Sequence, residues 1–212
     1  MNGARQSGFG RVQVTAKNSV RFNAAKAFLG PAKQRSNLFV FKNSQATRIL
    51  FEGVTASGVQ FLRNGVQHVV KATKEVILSA GAIGSPQLLM LSGVGPREHL
   101  LSLNISLVKS LNGVGRNMQD HSQFLGATFS TPHQHQNQDD DVFQYFRHRR
   151  GPLSTSGALN SVTGFLATEF AESRDYPDLQ MHYHGPFRNI SDVESFAKMT
   201  GLQNDYTAAL FR

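Results

Sequence analysis

A chain of 212 residues, of which 40% are apolar, is long enough to bury a core in one large domain or in parts of two. The sequence contains no apolar run of the ~18 residues that a membrane span needs, no signal peptide within residues 1–20, and no cysteine, which excludes disulfides and thiolate chemistry. The formal net charge of +8 originates in residues 1–74, but the cations there stand singly and outside any nucleic-acid-binding motif, so we expect no nucleic-acid partner.

The first predicted elements are a short helix and a group of strands. Asn23 can cap a helix over residues 24–29, and the following Gly-Pro pair predicts its end. Short runs rich in β-branched and aromatic residues then predict strands at 38–41, 47–51, 59–62, 66–70 and 76–78. The Asn-Gly pair between the third and fourth runs predicts a hairpin with a type I′ turn, because both residues tolerate positive φ.

The stretch GAIGSPQLLMLSGVG, residues 81–95, follows the last of these runs, which is apolar enough to be buried on both faces of a sheet. Small residues at 79–82 end that strand, and open α/β sheets bind ligands at such an edge. Ser85 is predicted to cap a helix and Pro86 to occupy its first position. Gly93 is predicted to end the helix in the left-handed conformation. A flat or phosphorylated ligand at this turn and an ordinary tight βα turn both fit the pattern.

The helix that follows the turn is predicted to bury one apolar side, formed by Leu88, Leu89 and Leu91. Farther along, the acidic residues 139–141 suit the start of a helix over 142–149, because carboxylates favour the N-terminal end of the helix dipole. That helix is predicted to bury Val142, Phe143 and Phe146. Strands are predicted at 161–168 and 179–183 as parts of an antiparallel sheet.

Several polar clusters have a structural interpretation that we favour over a chemical one. Asp120 and His121 are adjacent on a predicted loop and seldom face one another in that arrangement, so we expect them to order the loop. The pairs His133/His135 and His182/His184 each lack a third ligand at metal-binding spacing. No G-x-S-x-G elbow occurs. We therefore predict neither a metal site nor a hydrolase site.

At every constrained position GAIGSPQLLMLSGVG resembles the second signature of the glucose-methanol-choline (GMC) family of flavoprotein oxidoreductases. Three further blocks are similar to the family: AAKAFLGPAKQRSNLFVFKNSQATRILF at 24–51, GVGRNMQDH at 113–121 and FRHRRGPLSTSG at 146–157. Within the family, insect members described as glucose dehydrogenases are the most similar, which would imply an extracellular location.

The resemblance implies a mixed α/β fold in two parts. Residues 1–121 would form part of a Rossmann-like FAD-binding domain with a β-meander. Residues 122–212 would form part of an antiparallel-sheet substrate domain.

The resemblance also implies FAD as the cofactor and places part of its site. Ala46 matches the position of the family's backbone contact to the adenine ring, where Val is more usual. The turn formed by Ser79, Ala80, Gly81 and Ala82 resembles the part that lies against the adenosine end of FAD, with Ser85 and Pro86 just behind it. Asn117, together with Asp120 and His121, is expected to order a loop rather than to catalyse.

The implied reaction is hydride transfer from the CH–OH group of an alcohol or sugar to flavin N5, and then to a quinone, a dye or oxygen. The sequence lacks two family features: a G-x-G-x-x-G fingerprint, for which GARQSGFG at 3–10 is no substitute, and the catalytic His with its second His or Asn. We therefore expect a fragment without catalytic residues, which neither retains FAD nor oxidises alcohols alone. A non-catalytic module that binds an adenine nucleotide or a protein partner is the alternative.

Overall fold

A computed structural model describes residues 5–124, 138–154 and 162–183, and a few positions between 194 and 205. Contacts divide the chain into two units: Phe39–Gln123, and Met1–Leu38 together with Phe124–Arg212. The mixture of helices with antiparallel sheets agrees with the predicted fold class. The structure groups Met1–Leu38 with the downstream residues, whereas the sequence placed them with 39–121. Which unit serves the cofactor and which the substrate stays a prediction.

The described residues form short strands and helices. The strands are β1 (Gly8–Arg11), β2 (Ala16–Lys17), β3 (Val20–Arg21), β4 (Ser44–Glu52), β5 (Thr55–Arg63), β6 (Val66–Lys71), β7 (Val94–Gly95), β8 (Lys109–Ser110), β9 (Val162–Leu166) and β10 (Leu179–His182). The α-helices are α1 (Gly30–Ala32), α2 (Gly81–Leu91), α3 (Arg97–Ser102) and α4 (Gln138–His148), with a π-helical turn at Ala25–Leu29 and a 3-10 turn at Pro152–Ser154.

The unit Phe39–Gln123 begins with an antiparallel meander in the order β4-β5-β6. Its three strands contain the predicted runs 47–51, 59–62 and 66–70. Asn64 has φ 52° and Gly65 has φ 76°, so both central residues of the β5–β6 turn adopt positive φ, as the Asn-Gly pair predicted. The two turn residues therefore set the register of this hairpin, in which Arg63 pairs with Val66.

Two predicted strands are wrong. Residues 38–41 and 76–78 belong to no strand, and the side chain of Ile77 is 77% exposed. An apolar run becomes a central strand only when neighbouring strands pair with its backbone. The part of the chain that the structure describes supplies no such neighbours for either run, so hydrophobicity alone misled the prediction.

The core of this unit lies where α2, β4 and β7 meet. Ile49, Leu88 and Val94 are buried, and Leu100 of α3 is wholly so. Of the three leucines predicted to form the buried side of α2, only Leu88 is buried; Leu89 is intermediate and Leu91 is exposed. The buried face of α2 is therefore narrower than its three leucines predicted.

The second unit contains the antiparallel sheet β1-β9-β10. The strands predicted at 161–168 and 179–183 are β9 and β10, which confirms an antiparallel sheet here. We did not predict β1, a strand of four residues that includes two glycines and lacks a clear alternation. It pairs with β9, more than 150 positions away along the chain, which local patterns do not report. The GARQSGFG stretch therefore leads into a strand.

Two helices differ from their predictions. Asn23 caps the first as expected, because its Oδ1 accepts the N–H of Lys26 at 3.0 Å. The helical backbone does not stop at Gly30, which has φ −54° and is the first residue of α1. The later helix, α4, begins at Gln138 and includes all three aspartates at 139–141, which were predicted to precede it. Its predicted burial is wrong, because Val142, Phe143 and Phe146 are exposed.

The segment between β9 and β10 is braced by an exposed carboxylate. Asp178 accepts the hydroxyl of Thr168 at 2.6 Å through Oδ2 and the Thr168 N–H at 2.8 Å through Oδ1. The hydroxyl bond first, and then the N–H bond, lower the pKa of Asp178. The stabilisation is therefore complete above the ordinary aspartate pKa of about 3.9, and is lost as the pH falls through the lower folded pKa.

We expect Asp178→Asn to reduce the loss of stability of the chain in acid. Urea unfolding on both sides of the ordinary aspartate pKa measures this change. Asp175→Asn, in the same loop but with no hydrogen bond to Thr168 among the described contacts, is the matched control. Equal pH dependence in the two variants would show that the Thr168 contacts do not matter.

Candidate functional site

The turn at residues 79–82 is an exposed, uncrowded stretch of backbone. Its four residues, Ser79, Ala80, Gly81 and Ala82, are all exposed. Gly81 has φ +83°, and a Cβ placed on it would meet no atom within 4 Å. A flat ligand could therefore approach this backbone closely, which is the property that the small residues suggested. The assignment of the four residues to a cofactor stays a prediction.

The two residues behind the turn hold it in a way that the sequence did not predict. Helix α2 begins at Gly81, so Pro86 lies inside it rather than at its first position, and Ser85 is not its N-cap. The hydroxyl of Ser85 instead accepts the N–H of Ala80 at 3.1 Å. Ser-Pro is typical of a helix start, but this helix begins before the pair, at Gly81, whose positive φ glycine adopts without a steric penalty.

The N-terminal end of α2 is electrostatically suited to an anionic or hydrogen-bond-accepting ligand. The helix has eleven residues, its first turn carries no acidic side chain, and its N-cap residue makes no side-chain cap. The first N–H groups of a helix have no partner within it, and its dipole favours negative charge at that end. Phosphate or ribose oxygens could accept these N–H groups.

Ala46 lies in β4, opposite Phe61 of β5, at a bulge that displaces Thr47 from the ladder. The residue is exposed. Among the described residues, the hydrogen bond that joins β4 to the α2 segment runs through Ile49 and Ser92. No described hydrogen bond joins Ala46 to the turn, so its place beside an adenine ring stays a prediction.

Ser92 is a structural residue that the sequence analysis missed. It is 1% exposed, and its hydroxyl donates to the carbonyl of Leu88 at 2.6 Å while it accepts the N–H of Ile49 at 2.8 Å. A serine beside a glycine at a helix end usually indicates a solvated cap. Only its tertiary contact with β4 distinguishes it from such a residue.

The GVGRNMQDH element packs against the same helix. A Cβ on Gly115 would lie 3.4 Å from Cε of Met90 and 3.9 Å from Cβ of Pro86, so two of the blocks that resemble the family are neighbours. In the loop that follows, Asp120 accepts the backbone N–H of His121 at 2.8 Å. The role of this pair in ordering the loop stays a prediction.

The described residues offer no other kind of site that the sequence brought into question. Within them, no three His, Cys, Asp or Glu side chains lie close enough together to hold a metal ion. His182 is exposed on β10, whereas His133, His135 and His184 lie outside the described residues. None of the helices described here has the length and apolar character needed to cross a membrane.

Comparison with known proteins places these features in a family. The family model for GMC oxidoreductases matches residues 1–123. The chain is 38% identical over 196 residues to "Glucose dehydrogenase [FAD, quinone]" of Drosophila melanogaster, which covers 87% of this chain and 30% of the relative. It is 50% identical over 121 residues to the mitochondrial choline dehydrogenase of Homo sapiens, over 57% of this chain and 20% of that one.

The fold is also similar to a solved structure. An FAD-dependent oxidoreductase from Chaetomium thermophilum matches with a TM-score of 0.66 and 26% identity, over 79% of this chain and 31% of that chain. In each of these comparisons the chain spans less than a third of the other protein's length.

Proposed function

We propose, since this chain belongs to the GMC oxidoreductase family, that it forms the surface for the adenosine end of FAD in an oxidoreductase of CH–OH groups. The observation that carries the proposal is the exposed turn 79–82 at the start of α2, where Gly81 leaves open space. The names of the relatives support FAD as the cofactor and an alcohol or a sugar as the substrate. A quinone, a dye or oxygen would accept the electrons.

The proposed contacts follow from the backbone of this chain. Ser79, Ala80, Gly81 and Ala82 would lie against adenosine, and the N–H groups at the start of α2 would be donors to its oxygens. Ser85, through its bond to Ala80, would keep the turn in place. The N–H and carbonyl of Ala46 would contact the edge of the adenine ring. When FAD is bound, its isoalloxazine supplies the chemistry by accepting a hydride from the substrate carbon.

We further propose that these 212 residues alone neither retain FAD nor oxidise an alcohol. The sequence has no G-x-G-x-x-G fingerprint for the pyrophosphate and no residue that matches the family's catalytic pair. The reaction would need those groups together with the surface described above.

A second candidate is a non-catalytic module that binds an adenine nucleotide or a protein partner. The observation that favours it is the exposure of apolar side chains on either side of the turn, Ile77 at 77% and Ile83 at 72%. A partner surface could cover them. A chain that folds cooperatively without flavin, from a transcript that encodes only these residues, would favour this candidate.

The first experiment is to sequence the transcript across both ends of this segment and to purify its product. We expect a product that carries the glycine fingerprint and the catalytic pair to contain stoichiometric FAD, seen in its visible absorption, and to reduce a dye with an alcohol or a sugar. A flavin-free product with both features would contradict the proposed function.

The site itself is tested by Gly81→Ala in the flavin-containing product. The new methyl group would enter the space assigned to adenosine, and overpacking of about 1–3 kcal/mol would weaken FAD binding by about fivefold to about 150-fold. Gly65→Ala is the matched control, because Gly65 also has positive φ, at +76°, and open space around it. Equal FAD affinities in the two variants would remove the turn from the site.

A further inference from the structure

The sequence Asn104-Ile105-Ser106 follows α3 and has the pattern of an N-glycosylation acceptor. The pattern requires an asparagine, a middle residue other than proline, and a serine or threonine. Such acceptors occur on surface loops. A match to three positions is a weak signal by itself. A usable acceptor also needs an exposed asparagine whose side-chain amide is not engaged by the fold.

Asn104 lies at the outer point of the turn that ends α3. It has φ +56°, a left-handed conformation that asparagine tolerates better than most residues. The chain reverses there, because the N–H groups of Leu103 and Ile105 both donate to the carbonyl of Leu100, at 3.2 and 2.9 Å. Leu100 is wholly buried and Asn104 is exposed. The backbone of the turn is therefore held by hydrogen bonds to the buried Leu100, while Asn104 itself is exposed to solvent.

The two groups that glycosylation uses are available. Among the described contacts, no hydrogen bond involves the side-chain amide of Asn104 or the hydroxyl of Ser106, and both residues are exposed. Other residues of these types are occupied: the amide oxygen of Asn23 caps a helix, and the hydroxyl of Ser92 is buried in a tertiary contact. A glycan on Asn104 would displace no contact of the fold.

We propose that Asn104 is an N-glycosylation site, occupied when the chain passes through the secretory pathway. The donor is a lipid-pyrophosphate-linked oligosaccharide. A bond forms between the side-chain nitrogen of Asn104 and the anomeric carbon while the bond from that carbon to the pyrophosphate oxygen breaks, and the amide loses one proton. The hydroxyl of Ser106 completes the acceptor. The modification is independent of the proposed cofactor surface.

The test expresses the full chain in eukaryotic cells behind a secretory leader, with a C-terminal tag that carries its own acceptor sequence. Peptide mass spectrometry, before and after enzymatic removal of N-glycans, measures the occupancy of each acceptor. We expect the peptide with Asn104 to be glycosylated, and the glycan to disappear in Asn104→Gln and in Ser106→Ala. Ser106→Thr preserves the pattern and is expected to keep the glycan.

A second acceptor pattern, Asn189-Ile190-Ser191, lies outside the described residues and serves as a comparison within the chain. Asn189→Gln is expected to leave the occupancy of Asn104 unchanged. A glycosylated tag proves that the chain reached the compartment where the transfer occurs. An unmodified Asn104 beside a glycosylated tag, measured in cell extract as well as in medium, would overturn the proposal.

Discussion

Replacing Gly93 by alanine is expected to destabilise the chain more than the same replacement at Gly65 or Gly81, where an added Cβ would meet no atom within 4 Å. Gly93 has φ +88°, a conformation that costs a residue with a Cβ roughly 1–2 kcal/mol. The added Cβ would also overlap the carbonyl oxygen of Ser106 and lie 2.9 Å from Cγ2 of Val108. Overpacking of this kind costs about 1–3 kcal/mol. The two terms together predict a loss of about 2–5 kcal/mol of unfolding free energy.

The close approach at Gly93 exists because two elements meet there. The carbonyl of Gly93 accepts the N–H of Val108 at 2.8 Å, next to the parallel pairing of β7 with β8. A methyl group would have to push the segment that contains Ser106 and Val108 away from the end of α2. The substitution therefore acts on the junction between the helix and the following strands, rather than on the helix alone.

Gly65→Ala is the control for the prediction at Gly93. Gly65 also has positive φ, but a Cβ there would meet no atom within 4 Å. Its substitution should therefore cost only the conformational term of about 1–2 kcal/mol. Urea unfolding followed by circular dichroism gives both values. If Gly93→Ala costs no more than Gly65→Ala, the packing at the junction is looser than the structure indicates.

The second large effect is expected from Ser92→Ala. The substitution removes the acceptor of the Ile49 N–H, and Ile49 is itself buried at 5% exposure. A buried N–H without a partner costs about 1–3 kcal/mol, since it gives up its hydrogen bond to water and gains nothing in return. The carbonyl of Leu88 loses one donor as well, although the N–H of Ser92 still reaches it at 3.1 Å.

Ser102→Ala is the matched control for the buried serine. The Ser102 hydroxyl donates to the carbonyl of His99 at 2.8 Å near the end of α3, so the local pattern is similar, but the residue is exposed. Water replaces that hydroxyl, and we expect a change within about 0.5 kcal/mol. Equal losses of unfolding free energy in the two variants would contradict the role of Ser92 as the link between α2 and β4.

The predictions from sequence succeeded where a few adjacent residues determine the conformation. The Asn-Gly pair at 64 and 65 specifies a tight hairpin because its residues tolerate positive φ, and no distant contact is needed. Gly93 ends α2 in the left-handed conformation for the same reason. The signature blocks and their spacing predicted the family. The match of the family model to residues 1–123 confirms that prediction.

The candidate site was predictable in its residue types but not in its construction. Small residues at 79–82 indicated room for a ligand, and the open space at Gly81 agrees with that. The Ser-Pro pair indicated a helix start at the wrong residue, because the helix already begins at Gly81 and the hydroxyl of Ser85 accepts the Ala80 N–H instead of capping the helix. The identity of the ligand still depends on the relatives and on the FAD experiments proposed above.

The sequence by itself determined the family, the position of the Asn-Gly turn, the end of α2 at Gly93, and the presence of antiparallel strands. Only the tertiary structure decided which of the apolar runs pair, that β1 joins β9, and that Ser92 binds Ile49. The physical reason is the range of the interactions. Backbone conformation at a glycine or asparagine depends on its immediate neighbours, whereas strand pairing and burial depend on groups far away in the chain.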